Sequence, residues 1–288
     1  MNTLEAVVLG LVQGLTEFLP ISSSGHLLLA PWLFNWDQPG LAFDAALHIG
    51  TLLAVFVYFR GDILRMLQSL PLAARNLGPL SRGLPIDHPL APDARLAILI
   101  VIGCIPGGVA GLLFDDRIDT FFHSETHQDR AIIVIAVMLA LFAVLLWLSE
   151  RAARRTRTMA ELRVSDTVII GLAQMIALVP GTSRSGVTMT AGLFRDMHRA
   201  DAARFSFLLG LPLILAASLT GLKDLVDSGA DGVGYTQIIT GIAVSAVSGL
   251  AAIWVLLRFL QRAPTTVFTI YRLVAAAGVV LLLATGVR

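Results

Sequence analysis

Residues 13–26 read Gln13-Gly-Leu-Thr-Glu17-Phe-Leu-Pro20-Ile-Ser22-Ser23-Ser24-Gly25-His26, and residues 174–186 read Gln174-Met-Ile-Ala-Leu-Val-Pro180-Gly-Thr-Ser183-Arg184-Ser185-Gly186. At a fixed offset of 161 positions Gln13 falls on Gln174, Ser22 on Ser183, Ser23 on Arg184, Ser24 on Ser185 and Gly25 on Gly186. In both copies an apolar stretch runs through Pro into a short polar loop and then into a second apolar stretch. Neither flank of either loop reaches the ~20 residues that a helix needs to cross a bilayer. The pattern therefore predicts two short-helix hairpins that enter a membrane and turn back. Non-helical backbone at that depth is tolerated only where protein or a wet cavity satisfies it.

The composition agrees with a membrane setting. Of 288 residues, 56% are hydrophobic and 14% charged, against roughly 25% charged in a soluble domain. A net charge of +1 gives no reason to expect a nucleic-acid partner. The single cysteine, Cys104, excludes an intrachain disulfide and reads as a small apolar side chain. The N-terminal stretch is not expected to be a cleaved signal, because the first Lys or Arg is Arg60.

Outward from the loops, apolar runs at 43–59, 96–114, 131–149, 201–222, 235–257 and 267–286 predict six crossings. Asp62–Leu77 has the spacing of an interfacial amphipathic helix, and acidic loops containing Glu125 and Asp231 follow the second and fourth crossings. Sixteen of the 21 Lys and Arg residues fall in four clusters, at 60–95, 151–163, 195–204 and 258–272. Placing all four in the cytoplasm puts residues 1–42 and the C-terminus outside. The first hairpin then enters from outside and the second from inside, each followed by three crossings. The expected fold is an all-α polytopic membrane protein, one membrane domain over 1–288. It comprises two inverted-topology repeats (1–150 and 166–288) joined by a cytoplasmic linker at 151–165, a plan common among transporters.

The loops carry the chemistry. An ionisable side chain inside a membrane segment costs roughly 2.5–3.5 kcal/mol on insertion scales and so marks function by default. Gln13 and Glu17, four apart on one helix face, suit a hydrated divalent cation or proton handling; the plainer alternative is that Glu17 neutralises Arg184 across the repeats. Ser22, Ser23, Ser24 and Gly25 open a helix whose free N–H groups form an anion site. Ser183, Ser185 and Gly186 repeat it, and Arg184 adds a guanidinium suited to bidentate phosphate binding. His26 fits either a general acid for a departing phosphate or a nucleophile. Asp44 and His48 form a weaker pair on one helix face.

The segments 13–26 and 180–188 closely resemble the two signature segments of the undecaprenyl-diphosphate phosphatases, also called bacitracin-resistance proteins. Phe43–Leu53, Ala202–Pro212 and Ile270–Arg272 are similar to that family too. The resemblance implies a bacterial inner-membrane hydrolase that removes the terminal phosphate of a C55 polyprenyl diphosphate, yielding the monophosphate carrier for wall polymers. It places the family's acidic pair on Gln13 and Glu17, with Glu17 the one sure carboxylate, and its functional Ser, His and Arg on Ser23, His26 and Arg184. It further implies a divalent metal ion, Mg2+ or Ca2+, held at Gln13 and Glu17. His48 stands where other members have Gln. The expected partners are the lipid substrate, the membrane and, for assembly, a second copy of the chain.

Two rivals frame the reading. A secondary transporter or lipid flippase shares the inverted-repeat plan, and function has to be argued from the site; such a carrier needs the loops but not His26. The type 2 phosphatidic acid phosphatases share Ser24-Gly25-His26, but their Ser-Arg is followed at a fixed spacing by His, where this chain has Thr190.

Overall fold

The computed structural model describes the whole chain except Pro39, 124–127, 229–232 and 287–288. Among the described residues there are twelve α-helices and one 3-10 turn, Met159–Glu161. The helices are α1 Thr3–Phe18, α2 Ser23–Phe34, α3 Leu41–Tyr58, α4 Arg60–Arg75, α5 Leu77–Ser81, α6 Ala91–His123 and α7 Gln128–Ala152. Then come α8 Val164–Ile176, α9 Arg184–Phe194, α10 Arg199–Ser228, α11 Tyr235–Leu260 and α12 Thr266–Thr285.

Five segments are each long and apolar enough to cross a membrane: Ala91–Phe114, Gln128–Ala152, Arg199–Lys223, Tyr235–Leu260 and Thr266–Thr285. The crossing expected at 43–59 qualifies only together with α4, from which α3 is bent by 80°. α4 is the amphipathic helix the spacing predicts, with Leu64, Leu67 and Leu70 exposed. α6 runs on through residue 123 and α10 through 228, where the sequence suggested that loops begin at 115 and 223. Glu125 and Asp231 lie outside the described residues.

Both loops come out shorter than expected, because their serines start helices. Ser22 caps α2 and Ser183 caps α9. Ser23 and Arg184 are therefore first-turn helical residues rather than loop residues.

Small residues set the helix packing. A Cβ on Gly10 of α1 would meet the carbonyl of Gly241 in α11 at 2.9 Å, and one on Gly171 of α8 would meet that of Gly103 in α6 at 2.4 Å. Glycine there lets the backbones touch, as small residues do between membrane helices. α3 meets α10, and α7 meets α12. The central core packs Phe18 edge-on to Phe207, with Phe59 beside them. Cys104 is half-buried, its thiol donating to the Leu209 carbonyl at 3.2 Å.

Ion pairs tie down the basic segment between α7 and α8. Buried Asp166 accepts from Arg157 at 2.6 Å and Arg195 at 2.7 Å. The hydrogen bond to Asp166 raises the pKa of Arg157 above the ordinary guanidinium value. Glu150 accepts from Arg155, Arg199 and the Thr265 hydroxyl, linking the ends of α7, α10 and α12.

Candidate active site

The two loops interlock. The amide of Gly181 donates to Ser22 Oγ at 3.0 Å, and Ser185 Oγ donates to the Leu19 carbonyl at 3.1 Å. Each loop also caps itself: Gly25 N–H donates to Ser22 Oγ (3.3 Å) and Gly186 N–H to Ser183 Oγ (3.1 Å). Both cap residues hold a backbone that side chains avoid, Ser22 at φ 80° and ψ 97°, Ser183 at φ 71° and ψ 109°. Such a conformation costs on the order of 1–3 kcal/mol and persists only where its surroundings over-determine it; here the cap and cross-loop bonds do so.

Within this frame the charged groups meet. Glu17, buried near the end of α1, accepts from Arg184 Nη2 through Oε1 at 2.8 Å, a partner 167 positions away. Its Oε2 accepts from Ser23 Oγ at 2.5 Å and Gln13 Nε2 at 3.1 Å. His48 Nε2 lies 3.7 Å from the same oxygen, so of the weaker pair it is His48 that reaches the site. Arg184 Nη1 is buried without a partner. The guanidinium lies against α10, where a Cβ on Gly210 would sit 1.1 Å from Nη1.

The proposed residues thus fall into two groups, with Ser24 and His26 outside them. Gln13, Glu17, Ser23 and Arg184 form one hydrogen-bonded cluster. Ser22, Gly25, Ser183, Ser185 and Gly186 build the frame, with the hydroxyls of Ser22, Ser183 and Ser185 engaged inside it; Ser183 and Ser185 lie 3.2 Å apart, Oγ to Oγ. Ser24 is half-buried on the first turn of α2. His26 stands apart: its Nδ1 is 2.6 Å from the Ser22 carbonyl and its Nε2 2.8 Å from the Tyr271 hydroxyl.

Two residues of α12 escaped the reading from sequence. The charge pattern places Arg272 in the cytoplasmic basic cluster at 258–272; in the structure its side chain is instead fully buried. It donates to the carbonyls of Pro20 (3.2 Å), Gly181 (2.9 Å) and Thr182 (3.0 Å) in the two loops. It also reaches Leu139 (3.1 Å) and Met138 (3.3 Å) in α7. Hydrogen bonds to a charged group contribute about 1.5–3 kcal/mol each. Five of them outweigh an insertion cost of roughly 2.5–3.5 kcal/mol, so a guanidinium is stable here without a carboxylate. Tyr271 is the second. The resemblance of Ile270–Arg272 to family members was the only signal for either.

Among the described residues no three His, Cys, Asp or Glu side chains stand close enough to hold a metal ion. The cluster does offer one carboxylate, and beside it Gln13 Oε1, buried and without a partner. That donor set fits a hard divalent ion of the kind held by one or two carboxylates together with substrate phosphates. It does not make a closed protein site. A cavity of about 780 Å³ at the ends of α3, α10 and α11, lined by Tyr58, Asp62, Arg199 and Arg204 among others, shares no residue with the loops.

Fold and site together define a polytopic membrane protein with an acid–hydroxyl–guanidinium cluster buried where two polar loops meet. The chain belongs to the family described as bacitracin resistance protein BacA, whose model matches residues 6–278. Curated relatives match over nearly their whole length, each carrying the name undecaprenyl-diphosphatase. That of Thermomicrobium roseum is 46% identical over 283 residues, 98% of both chains. That of Moorella thermoacetica is 42% identical over 280 residues, 97% of both. That of Pelobacter propionicus is 42% identical over 287 residues, covering 100% of this chain and 99% of the relative.

Proposed function

We infer that this chain is an undecaprenyl-diphosphatase of the bacterial inner membrane, which removes the terminal phosphate of undecaprenyl diphosphate. End-to-end similarity to relatives of that name supports the reading. The observation that carries the chemistry is the 2.5 Å contact between Ser23 Oγ and Glu17 Oε2, a nucleophile beside its base. A carrier has no need of that pair, which favours hydrolysis over transport.

In the proposed reaction Ser23 Oγ attacks the terminal phosphorus and its proton passes to Glu17 Oε2. The bridging P–O bond breaks, its electron pair leaves with the lipid monophosphate, and His26 Nε2 supplies that phosphate with a proton. Water then hydrolyses the phosphoserine to free phosphate and regenerates Ser23. Arg184 holds phosphate oxygens; its unpartnered Nη1 gives it a donor to spare beyond Glu17. The partial positive ends of α2 and α9 add anion stabilisation. Positioning and charge neutralisation carry most of such a reaction. Gln13 and Glu17 would hold a divalent ion, Mg2+ or Ca2+, together with the substrate; bound there, it would neutralise diphosphate charge. The polyprenyl tail stays in the lipid.

The same reading takes the fold as two inverted repeats with re-entrant hairpins. Its supports are the equivalent cap geometry at Ser22 and Ser183 and the matched contacts Gly10–Gly241 and Gly171–Gly103. Purified protein should release phosphate from undecaprenyl diphosphate and lose that activity with chelator; a protein that binds the lipid but never releases phosphate ends the hydrolase reading. In a Cys104→Ala background, an impermeant thiol reagent applied outside should label Tyr235→Cys and spare Arg154→Cys. Labelling of both sites from outside would overturn the inverted topology, and the reverse pattern would overturn the orientation.

A further inference from the structure

Of the two histidines beside the loops, only one has a nitrogen to spare. His26 is held by protein at both ring nitrogens. In His48 the Nδ1 atom lies 2.8 Å from the Asp44 carbonyl, one turn back on α3. A carbonyl only accepts, so in the neutral ring Nδ1 carries the proton and Nε2 the lone pair. Among the described residues Nε2 has no hydrogen-bond partner. It faces Glu17 Oε2 at 3.7 Å, too far for a hydrogen bond. A lone pair set towards a carboxylate oxygen is unfavourable by itself, and becomes favourable when a cation is shared between the two. The His48 side chain is 28% exposed, so an ion and its water can reach it.

The spacing suits a shared ion. Two donors each about 2.1 Å from a metal ion stand about 3.0 Å apart at a right angle and about 4.2 Å apart when opposed. The 3.7 Å between Nε2 and Oε2 falls inside that range. Gln13 completes the set: its Nε2 donates to Glu17 Oε2 at 3.1 Å, while its Oε1 is buried without a partner. Turning the amide over exchanges the two atoms. That frees on Oε2 the lone pair a cation needs and offers the cation a second oxygen. Ser23 keeps its own bond to Oε2, so the nucleophile stays beside its base. The Nδ1 bond of His48 to a backbone carbonyl is also the support that orients metal-bound imidazoles in general.

We propose that His48 Nε2 is a third protein donor, with Glu17 and Gln13, to a divalent ion held between α1 and α3. The mixed nitrogen and oxygen set tilts this chain from Mg2+ and Ca2+ towards first-row transition-metal dications, which imidazole suits better. The proposal rests on the reading above that Gln13 and Glu17 hold a divalent ion with the substrate.

Mn2+ is the probe, added to purified protein in detergent, alone and with inorganic phosphate to supply the oxygens of a substrate. Bound Mn2+ should show electron spin-echo modulation from a directly bonded 14N, and protein grown on 15N-histidine should lose it. His48→Gln offers an oxygen at similar reach. It should melt as wild type does without metal and bind Mn2+ about tenfold or more weakly, with no nitrogen modulation. By competition against Mn2+, the affinity ratio of Co2+ to Mg2+ should fall in the variant by about the same factor. Mn2+ that is released by Glu17→Gln but shows no nitrogen modulation overturns the role of His48 and leaves the ion at Glu17 standing. Modulation that persists in His48→Gln does the same. If no Mn2+ binds under either condition, or Glu17→Gln binds it as wild type does, the metal reading of Glu17 falls and the proposal with it.

Discussion

The loops around Ser22 and Ser183 share their cap geometry and differ most tellingly in three side chains. Each begins with a capping serine at positive φ, and in each the amide three residues later donates to that serine's Oγ. Two bonds join them, both donated by the second loop and accepted by the first. At the offset of 161, however, Glu17 faces Leu178, Ser23 faces Arg184 and His26 faces Val187. The first loop thus carries the carboxylate, the hydroxyl and the imidazole, and the second carries the guanidinium. The shared frame satisfies non-helical backbone in both loops with the same serine cap. The side chains that differ divide the polar groups between the two loops, with the Glu17–Arg184 bond joining them.

If that division holds, substitutions in the first loop should be the most damaging. Glu17→Gln should lower kcat by about 10²–10⁴-fold, the range expected for loss of a general base. Ser23→Ala should lose at least as much, and no phosphoenzyme should be trapped on it by rapid quench with labelled substrate. Wild-type turnover in either variant would mean that the two loops are chemically equivalent.

Arg184→Lys tests the other side. Lysine keeps the charge but loses the planar fork, so kcat should fall by about 10- to 1,000-fold at ~1.4 kcal/mol per tenfold. Substrate binding should weaken less than turnover, since the fork matters most as charge moves onto the departing phosphate. Equal losses in binding and turnover would reduce Arg184 to a substrate anchor.

A smaller effect is expected from Gly210→Ala, which touches neither loop in sequence. Its methyl would occupy the place of Arg184 Nη1. Misplacing a catalytic group by about 1 Å costs up to ~10²-fold, and activity here should drop about 10- to 100-fold with the protein still folded. Full activity would show that the guanidinium works from another position.

The smallest difference concerns the frame itself. Ser22→Ala leaves the buried Gly181 amide without its acceptor as well as removing a cap, and should cost about 1–3 kcal/mol of stability. Ser183→Ala loses its local cap and the contact with Ser185, and should cost about 1 kcal/mol. Thermal melts of the two proteins in detergent give the order directly; the opposite order would place the more important hinge in the second loop.

What the sequence determined by itself is what local pattern encodes. Apolar run length fixed the membrane class, the repeated Gln…Pro…Ser-x-Ser-Gly located both loops with Glu17, His26 and Arg184 in them, and the family resemblance singled out Ser23. The boundaries moved where a polar stretch continued a helix, as after 114 and 222, because charge does not by itself end one, and where the loop serines started a helix. Tertiary structure decided how side chains pair across the chain. Glu17 meets Arg184 from 167 positions away, which turns the two alternatives for Glu17, site carboxylate and partner of Arg184, into one arrangement. The hydroxyls of Ser22, Ser183 and Ser185 are engaged with backbone and with each other, which no spacing reveals. Arg272 follows Arg258 and Arg262 and looks like the end of a basic flank, yet its guanidinium lies buried against the carbonyls of both loops. The physical reason is common to all of these: hydropathy is a property of contiguous residues, whereas a buried polar group is admitted by partners that folding alone brings within hydrogen-bond reach.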